Sequence, residues 1–509
     1  MANPQILIAG AGPTGLVLAL LLARHGIAFR IIDKNSGPGQ ASRAMVVHAR
    51  TLEFYNQLGF ADEFVAQGIK MEHVHVHEGG TEVAHIALGE IGQGLSPYPF
   101  VLDFPQDDHE HFLVAKLQAA GIAVEWNTAL VSFTQDAAQV SAVIEHGGAT
   151  EQCEFAYVCG CDGARSTVRE ALRLDFPGGT YERLYYVADV RIDGSRNTDL
   201  HAHIGPHTFN LMLPVRSSGM QRLIGIMPDR IGADAGAGFE DVRPDVEHLL
   251  GVQVSEVNWF STYRVHHRVA SQFRSGRCFV CGDAAHIHSP AGGQGMNTGI
   301  GDAVNLSWKL AGVLQQRADA SLLDTYEAER IVFARKLVAT TDRAFQAIVS
   351  QGLGGKLVRN WLVPGVLPFL SGFTMTRRAM FRTVSQIQIH YADSALSKGR
   401  AGKVSGGDRL PWVKEKIKDQ IVDNFDALRS LEWQLHVYGA LILEFAADAQ
   451  ALGLAVHTFA WNAAAAQAGL QRDAAYLIRP DGHVALALPE QESGVLRRFS
   501  QRLGLRFSS

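Results

Sequence analysis

Gln5-Ile-Leu-Ile-Ala-Gly10-Ala-Gly12-Pro13-Thr14-Gly15, followed by the apolar run Leu16–Ala23, His25-Gly26 and then Phe29-Arg-Ile-Ile-Asp33, is the stretch that decides the fold. Gln5–Ala9 reads as a short strand and about Thr14–His25 as a helix. Gly26 sits where a C-cap glycine belongs, and Phe29–Ile32 reads as a second strand ending at Asp33. In this strand–turn–helix–strand unit Gly10 permits the tight turn, Gly12 lets backbone approach a pyrophosphate, and Gly15 lets helix and strand pack closely. The helix N-terminus turns free N–H groups and a positive dipole end toward phosphate. Asp33 follows Gly15 by 18 residues and is placed to accept hydrogen bonds from an adenosine ribose. The unit predicts a dinucleotide site.

Two later segments narrow the ligand. Cys161-Asp162-Gly163-Ala-Arg165-Ser-Thr-Val-Arg169 follows the apolar strand Phe155–Cys159, and Gly282-Asp283-Ala-Ala-His286 follows the strand Cys278–Cys281. The latter continues through Pro290-Ala-Gly-Gly293-Gln-Gly295-Met296-Asn297. An acidic residue at a strand's C-terminal end, before a glycine turn into a helix, suits ribityl hydroxyls. The turn and the helix start after it can stabilise a negatively charged reduced flavin.

These three motifs, in this order, resemble the class A flavoprotein aromatic hydroxylases, the group of para-hydroxybenzoate and phenol hydroxylases. The first is similar to their FAD fingerprint and the second to their DG motif, which touches FAD and the nicotinamide cofactor. The third resembles their GD motif through the run GDAAHIHSPAGGQGMNTGIGDAVNLSWKL, residues 282–310. Ser42-Arg43 resembles the loop whose arginine holds the pyrophosphate, and Arg50-Thr-Leu-Glu53 the Arg-Thr-x-Glu element that opens the next helix. Gln106 resembles the flavin-contacting glutamine. The resemblance thus implies that Gly10, Gly12, Pro13, Thr14, Gly15, Asp33, Lys34, Arg43, Gln106, Asp162, Gly163, Arg165, Asp283, Gly295, Met296 and Asn297 hold non-covalent FAD. Arg50, Pro290 and Gly293 are the expected catalytic positions, the glycine turn forming a wall against the flavin ring.

The implied fold class is α/β in three parts. A discontinuous Rossmann-like FAD-binding domain takes residues 1–70, 102–176 and 274–395. A β-sheet substrate domain takes 71–101 and 177–273. Residues 400–509 resemble the thioredoxin-like domain of phenol and polyketide hydroxylases, opening at Gly406-Gly-Asp408-Arg409-Leu-Pro411 and carrying a hairpin from Tyr476 to Val484. No CxxC lies beyond residue 281, so redox work there is excluded and a structural or homodimerising role is expected. Within the middle sheet, the strand pair Phe209–Val215 and Arg222–Met227 should help roof the flavin. Tyr185, Tyr186, His201, His203, Arg216 and Tyr263 are candidate partners for a substrate hydroxyl.

Composition sets the outer bounds. With 46 basic against 51 acidic residues the formal charge is −5, which argues against a nucleic-acid binder. An apolar content of 47% with 19% charged residues is globular, and 51 glycines in 509 residues exceed the usual ~7%, a hint of close backbone–ligand contact. Five cysteines make no disulfide framework and point to a reducing cytoplasm. No apolar run is long enough to span a bilayer; Trp361–Met375, broken by Pro364, Gly365, Pro368 and Gly372, reads as a buried helix–loop. His73, His75 and His77 alternate along a strand face that reads as half-solvated, so no metal is expected.

The resemblance implies an external monooxygenase. NAD(P)H reduces FAD, O2 forms a flavin C4a-hydroperoxide, and its distal oxygen passes to a phenolic or polycyclic aromatic ring. Related chemistry (epoxidation, reduction or halogenation) and flavin binding without turnover are the alternatives, since one fold hosts many reactions. The Trp-x-Trp-x-x-Pro element of flavin halogenases is absent.

Overall fold

A computed structural model describes residues 4–39, 44–89, 91–193, 199–205, 209–215, 218–228, 230–231, 236–289, 291–349, 374–417 and 420–507. Ser42, Arg43, Arg216, Pro290 and the stretch 361–373 lie outside these residues.

The opening unit folds as its glycines and apolar runs dictate. Ile6–Ala9 is fully buried, Pro13–Arg24 is helical with proline in its first turn, and Phe29–Ile32 runs parallel to the first strand, Ala9 opposite Ile32. A five-stranded sheet grows from it in the order 274–275, 278–280, 157–160, 6–9, 29–32, parallel except at the 274–275 edge. The strands that precede the three motifs are therefore adjacent, and their carboxyl ends share one edge of the sheet. In an open α/β sheet that edge is where ligands bind. Helix Gln294–Leu314 is buried around nearly its whole circumference, as a helix inside a large core must be.

The second large element is an eight-stranded sheet in the order 286–287, 254–269, 178–192, 220–226, 209–215, 200–204, 73–78, 81–87. It is antiparallel except for the 200–204/73–78 pair. Phe209–Val215 pairs with Met220–Ile226, the second strand starting earlier than read because Val215 already faces Met220 across the turn. The sheet's two faces have different partners. Met212, Tyr186, Ala188 and Leu223 pack on helix Phe239–Leu250 through Phe239, Val242 and Val246. On the other face Leu211, Leu213, Val215 and Ile224 meet Met45, Val46, Met71 and Val101. Strands 46–47, 101–103 and 69–71 form a separate three-stranded sheet at this junction.

Beyond residue 397 a six-stranded sheet runs 404–405, 398–401, 484–488, 475–478, 434–438, 455–459. Chain order there is strand 434–438, helix Leu443–Ala451, parallel strand 455–459, short helix Ala463–Gln467, the hairpin 475–478/484–488 and helix Val495–Arg502. One face buries Trp433, Leu435, Val437 and Leu477 against Trp308 of helix Gln294–Leu314, the two indoles meeting edge-on at 5.5 Å. All five cysteines are free, and among the described residues no helix is long and apolar enough to cross a membrane.

Candidate active site

Three turns meet at the carboxyl edge of the five-stranded sheet, and their glycines show how tightly. A Cβ on Gly10 (φ +103°) would collide with the Cys161 carbonyl, and one on Gly15 with the Gly10 carbonyl. At Gly282 (φ +61°) a Cβ would lie 2.6 Å from Thr14 Oγ1, and at Gly299 it would collide with the same oxygen. These glycines close the protein on itself. Gly12 differs: a Cβ there would meet nothing within 4 Å. It caps helix Pro13–Arg24, whose first turn has no acidic residue and no side-chain cap, so its N–H groups face that open space.

The acidic residues frame the same space. Asp33 accepts the Ala11 N–H through Oδ2 (2.8 Å) and the Asn35 N–H through Oδ1 (2.9 Å), which leaves lone pairs for hydroxyl donors. Asp283 is exposed at the end of strand 278–280, and Lys34 and Arg165 are exposed beside their motifs. Asp162 is spent on its own turn, accepting from Ser166 Oγ (2.5 Å) and the Val168 N–H (3.1 Å); burial pushes its carboxyl up. Gln106 Nε2 donates to Glu110 Oε1 (2.8 Å), and Glu110 Oε2 accepts the Gly39 N–H (2.7 Å), fixing the chain at Gly39. Free N–H groups beside a side-chain-free pocket, with carboxylates at either end, are the donor set that a pyrophosphate flanked by ribose and ribityl hydroxyls requires. The residues fit FAD.

A second wall stands where segment 45–48, strand 101–103 and the 291–297 turn face the inner side of the eight-stranded sheet. His48 Nε2 donates to the Gly292 carbonyl (2.9 Å), and burial lowers this imidazole to about 4, so it is neutral. Asp103 lies opposite Val46, 1% exposed, with neither carboxylate oxygen hydrogen-bonded; burial pushes its pKa well above the ordinary range, against Arg222. Arg222 itself is fully buried, doubly hydrogen-bonded to Asp189 (2.7 Å each), which also accepts from Trp259 Nε1 (2.8 Å). Its Nη1 is unpartnered. An unpaired buried donor near a neutral carboxyl, amid Leu211, Leu213, Ile224 and Met45, is a polar centre in otherwise apolar packing.

Several sequence expectations change here. Arg50 is engaged by the C-terminal unit: its guanidinium donates to Glu53 Oε2 (3.0 Å) and the Asp481 carbonyl (2.7 Å). It lies on the face of helix Ala49–Leu58 that packs there. Gly293 (φ +61°) does not offer its bare side to a ring, since a Cβ would lie 2.7 Å from Val46 Cβ. Asn297 has its amide used up: Nδ2 donates to the Val46 and Gly293 carbonyls (both 2.8 Å), and Oδ1 accepts the His48 N–H (2.9 Å) and Thr51 Oγ1–H (2.8 Å). It positions the turn. Met296 and Gly295 are half-buried at the start of the same helix, Gly295 beside the His288 ring. Among the substrate-contact candidates, Tyr185 and Tyr263 pair on the inner face, whereas Tyr186, His201 and His203 fall on the outer one, because side chains alternate along a strand.

Sequence reading also passed over two buried charge networks. Asp302 Oδ2 accepts the Gly282 N–H (2.9 Å) and bonds His286 Nε2 (2.8 Å), while Oδ1 accepts from Arg330 Nε (2.6 Å). Burial alone would raise this carboxyl, but Arg330 and His286 hold it below the ordinary range. In the second, Glu329 pairs with Arg479 (2.7 and 2.9 Å) and Lys309 (2.9 Å), all fully buried, and burial lowers Lys309 to about 8. The available signal was Asp302, Asn305 and Lys309, a polar stripe at helical spacing inside an apolar helix.

Comparison with known proteins places this geometry. A family model described as an FAD binding domain matches residues 3–341. The chain is 38% identical to 6-methylpretetramide 4-monooxygenase of Streptomyces rimosus, over 89% of this chain and 81% of that protein. It is 31% identical to pentachlorophenol 4-monooxygenase of Sphingobium chlorophenolicum, over 81% and 76%. The solved structure of the anhydrotetracycline hydroxylase OxyS of Streptomyces rimosus superposes with a TM-score of 0.79 at 27% identity, covering 99% of each chain. The chain belongs to the FAD-binding-domain family, among the class A flavoprotein aromatic monooxygenases.

Proposed function

We propose that this monooxygenase hydroxylates a polycyclic phenol, with NAD(P)H and O2 as co-substrates and no metal in the reaction. The balance is one aromatic C–H, one O2, one NAD(P)H and one proton giving one phenolic C–OH, one water and one NAD(P)+. The observation that carries the reading is that one chain joins three dinucleotide-type turns on one sheet edge to an apolar sheet face with one unpartnered guanidinium nitrogen. FAD, when bound, supplies the redox and oxygen chemistry. Gly12 and the helix start behind it would take the pyrophosphate, Asp33 the ribose, and Asp283 the ribityl chain.

The chain's own residues would do the rest. Arg222 Nη1 is a donor with no protein acceptor, suited to a phenolate oxygen, and an electron-rich phenolate activates its ring carbons. Asp103, held neutral by burial, can donate its O–H to a second oxygen of the substrate. Leu211, Leu213, Ile224 and Met45 would exclude water from the ring. The relatives' substrates, 6-methylpretetramide and pentachlorophenol by name, support an aromatic one here.

We further propose the three-part division given above, with the middle sheet extended by strand 286–287, and a thioredoxin-like descent for the C-terminal unit, which its βαβ and ββα order supports. The free, mostly buried cysteines suit a cytoplasmic enzyme. The test is substrate-stimulated NAD(P)H oxidation by the FAD-loaded enzyme across simple and fused-ring phenols, with 18O2 label sought in the product. Labelled product from fused-ring phenols supports the reading; one hydrogen peroxide per NAD(P)H with every aromatic overturns it.

A further inference from the structure

We propose that the outer face of the eight-stranded sheet carries a divalent transition-metal site made by His77, His201 and His203. Strands His73–Glu78 and Leu200–Ile204 run parallel with His75 opposite His201 and His77 opposite His203. Alternation puts all four imidazoles on one face. The rings stack, His77 on His203 at 4.4 Å and His75 on His201 at 4.6 Å. One ligand nitrogen from each of His77, His201 and His203 lies within 4.8 Å of the other two, and His77 Nε2 and His201 Nδ1 are already 3.0 Å apart. Zinc with bonds of ~2.0–2.1 Å in a tetrahedron needs its nitrogens ~3.3 Å apart, a closure that small side-chain rotations supply.

The neighbouring histidines are otherwise engaged. His73 and His85 bond each other (2.9 Å), and His75 meets Glu82 (3.0 Å) and Asp199 (3.4 Å). His203 points to a ligand independently: it is 6% exposed, its Nδ1 has no partner, and its ring is tied to the Leu249 backbone. A ligating imidazole is held in this way, one nitrogen tethered and the other bare. Burial also keeps His201 and His203 neutral, each lowered to about 4. The triad opens on a hollow of about 510 Å³ that His248 also lines, room for a cation and its remaining water. Three imidazoles without a carboxylate favour zinc, copper or nickel over magnesium or calcium. Bound there, the ion would clamp two strands far apart in sequence, on the side of the sheet away from the flavin motifs.

The experiment titrates Zn2+ into chelator-treated, FAD-loaded protein by calorimetry, with Co2+ absorption reporting the geometry. One saturable site per chain is expected, weakened at least about tenfold by His203→Gln and by His77→Gln. The half-exposed His77 keeps the test open should His203→Gln fail to fold. His73→Gln and His85→Gln should leave the affinity unchanged. Absence of saturable binding at micromolar Zn2+, or binding that survives His77→Gln, overturns the site, as does loss confined to the His73 and His85 variants.

Discussion

Asp302→Asn should separate the core of this enzyme from its cofactor turn. The wild-type carboxylate satisfies three donors, the Gly282 N–H, His286 and the Arg330 guanidinium, inside a fully buried pocket. Asparagine keeps one acceptor oxygen and turns the other into a donor, so either Arg330 or the Gly282 N–H faces an N–H group. Leaving the buried Arg330 charge uncompensated costs about 3–5 kcal/mol, the usual result of removing one partner of a buried pair. Losing the Gly282 hydrogen bond alone would cost ~1–3 kcal/mol and would be felt at the flavin turn, as roughly a tenfold weaker FAD affinity. Denaturant titration of the flavin-free protein reads the first quantity, and flavin fluorescence titration the second. The double variant Asp302→Asn/Arg330→Met removes the stranded charge and should recover part of the stability but not the FAD affinity. If Asp302→Asn unfolded within ~0.5 kcal/mol of wild type, the network would not hold the turn, and the reasoning would fall.

Gly12→Ala should leave flavin-free stability within ~1 kcal/mol, because a Cβ there meets only open space, yet abolish FAD retention. Gly15→Ala should lower stability by about 3 kcal/mol, the upper end of overpacking costs, since its Cβ would collide with the backbone carbonyl of Gly10; equal behaviour of the two variants would refute the division between cofactor and packing glycines. Gly293→Val should destabilise the 291–297 turn by collision with Val46 and through its left-handed φ, and Val46→Ala should relieve part of that cost, as melting temperatures of the single and double variants would show. Stability should fall as pH drops from about 6.5 toward 4. His48 and His288 are each lowered by burial to about 4, so the unfolded chain takes up their protons first. Each contributes at most ~1.4 kcal/mol per pH unit, and a flat denaturation midpoint across that range would contradict their neutral burial.

What could be read from the sequence was what depends on neighbours along the chain. The strand–turn–helix–strand unit, the two later acidic turns, the 209–215 strand and the 475–488 hairpin all carry local signals of period and turn chemistry, and each stands where it was expected. What local signals leave open is the direction of a side chain. The Arg-Thr-x-Glu resemblance makes Arg50 a catalytic position, but the partners of its guanidinium come from the C-terminal sheet, hundreds of residues away, and no local pattern shows them. His201 and His203, candidate substrate contacts by sequence, lie in the expected sheet but on its far face, a parity that only pairing with Met212 and Asn210 reveals. Asp103 and Arg222 passed unnoticed because neither lies in a motif; they become conspicuous only through the partners they lack.

The ion pairs that join the C-terminal unit to the rest of the chain bear on how such enzymes can be recombined. Glu53 receives Arg409 (2.8 Å), and Glu329 receives Arg479 (2.7 Å), each acid on one side of the junction and each base on the other. A chimera that exchanges residues after about 397 with those of a relative imports new bases onto old acids. It will fold only where the donor carries an arginine at both places, or where helices Ala49–Leu58 and Asp324–Val349 travel with the graft.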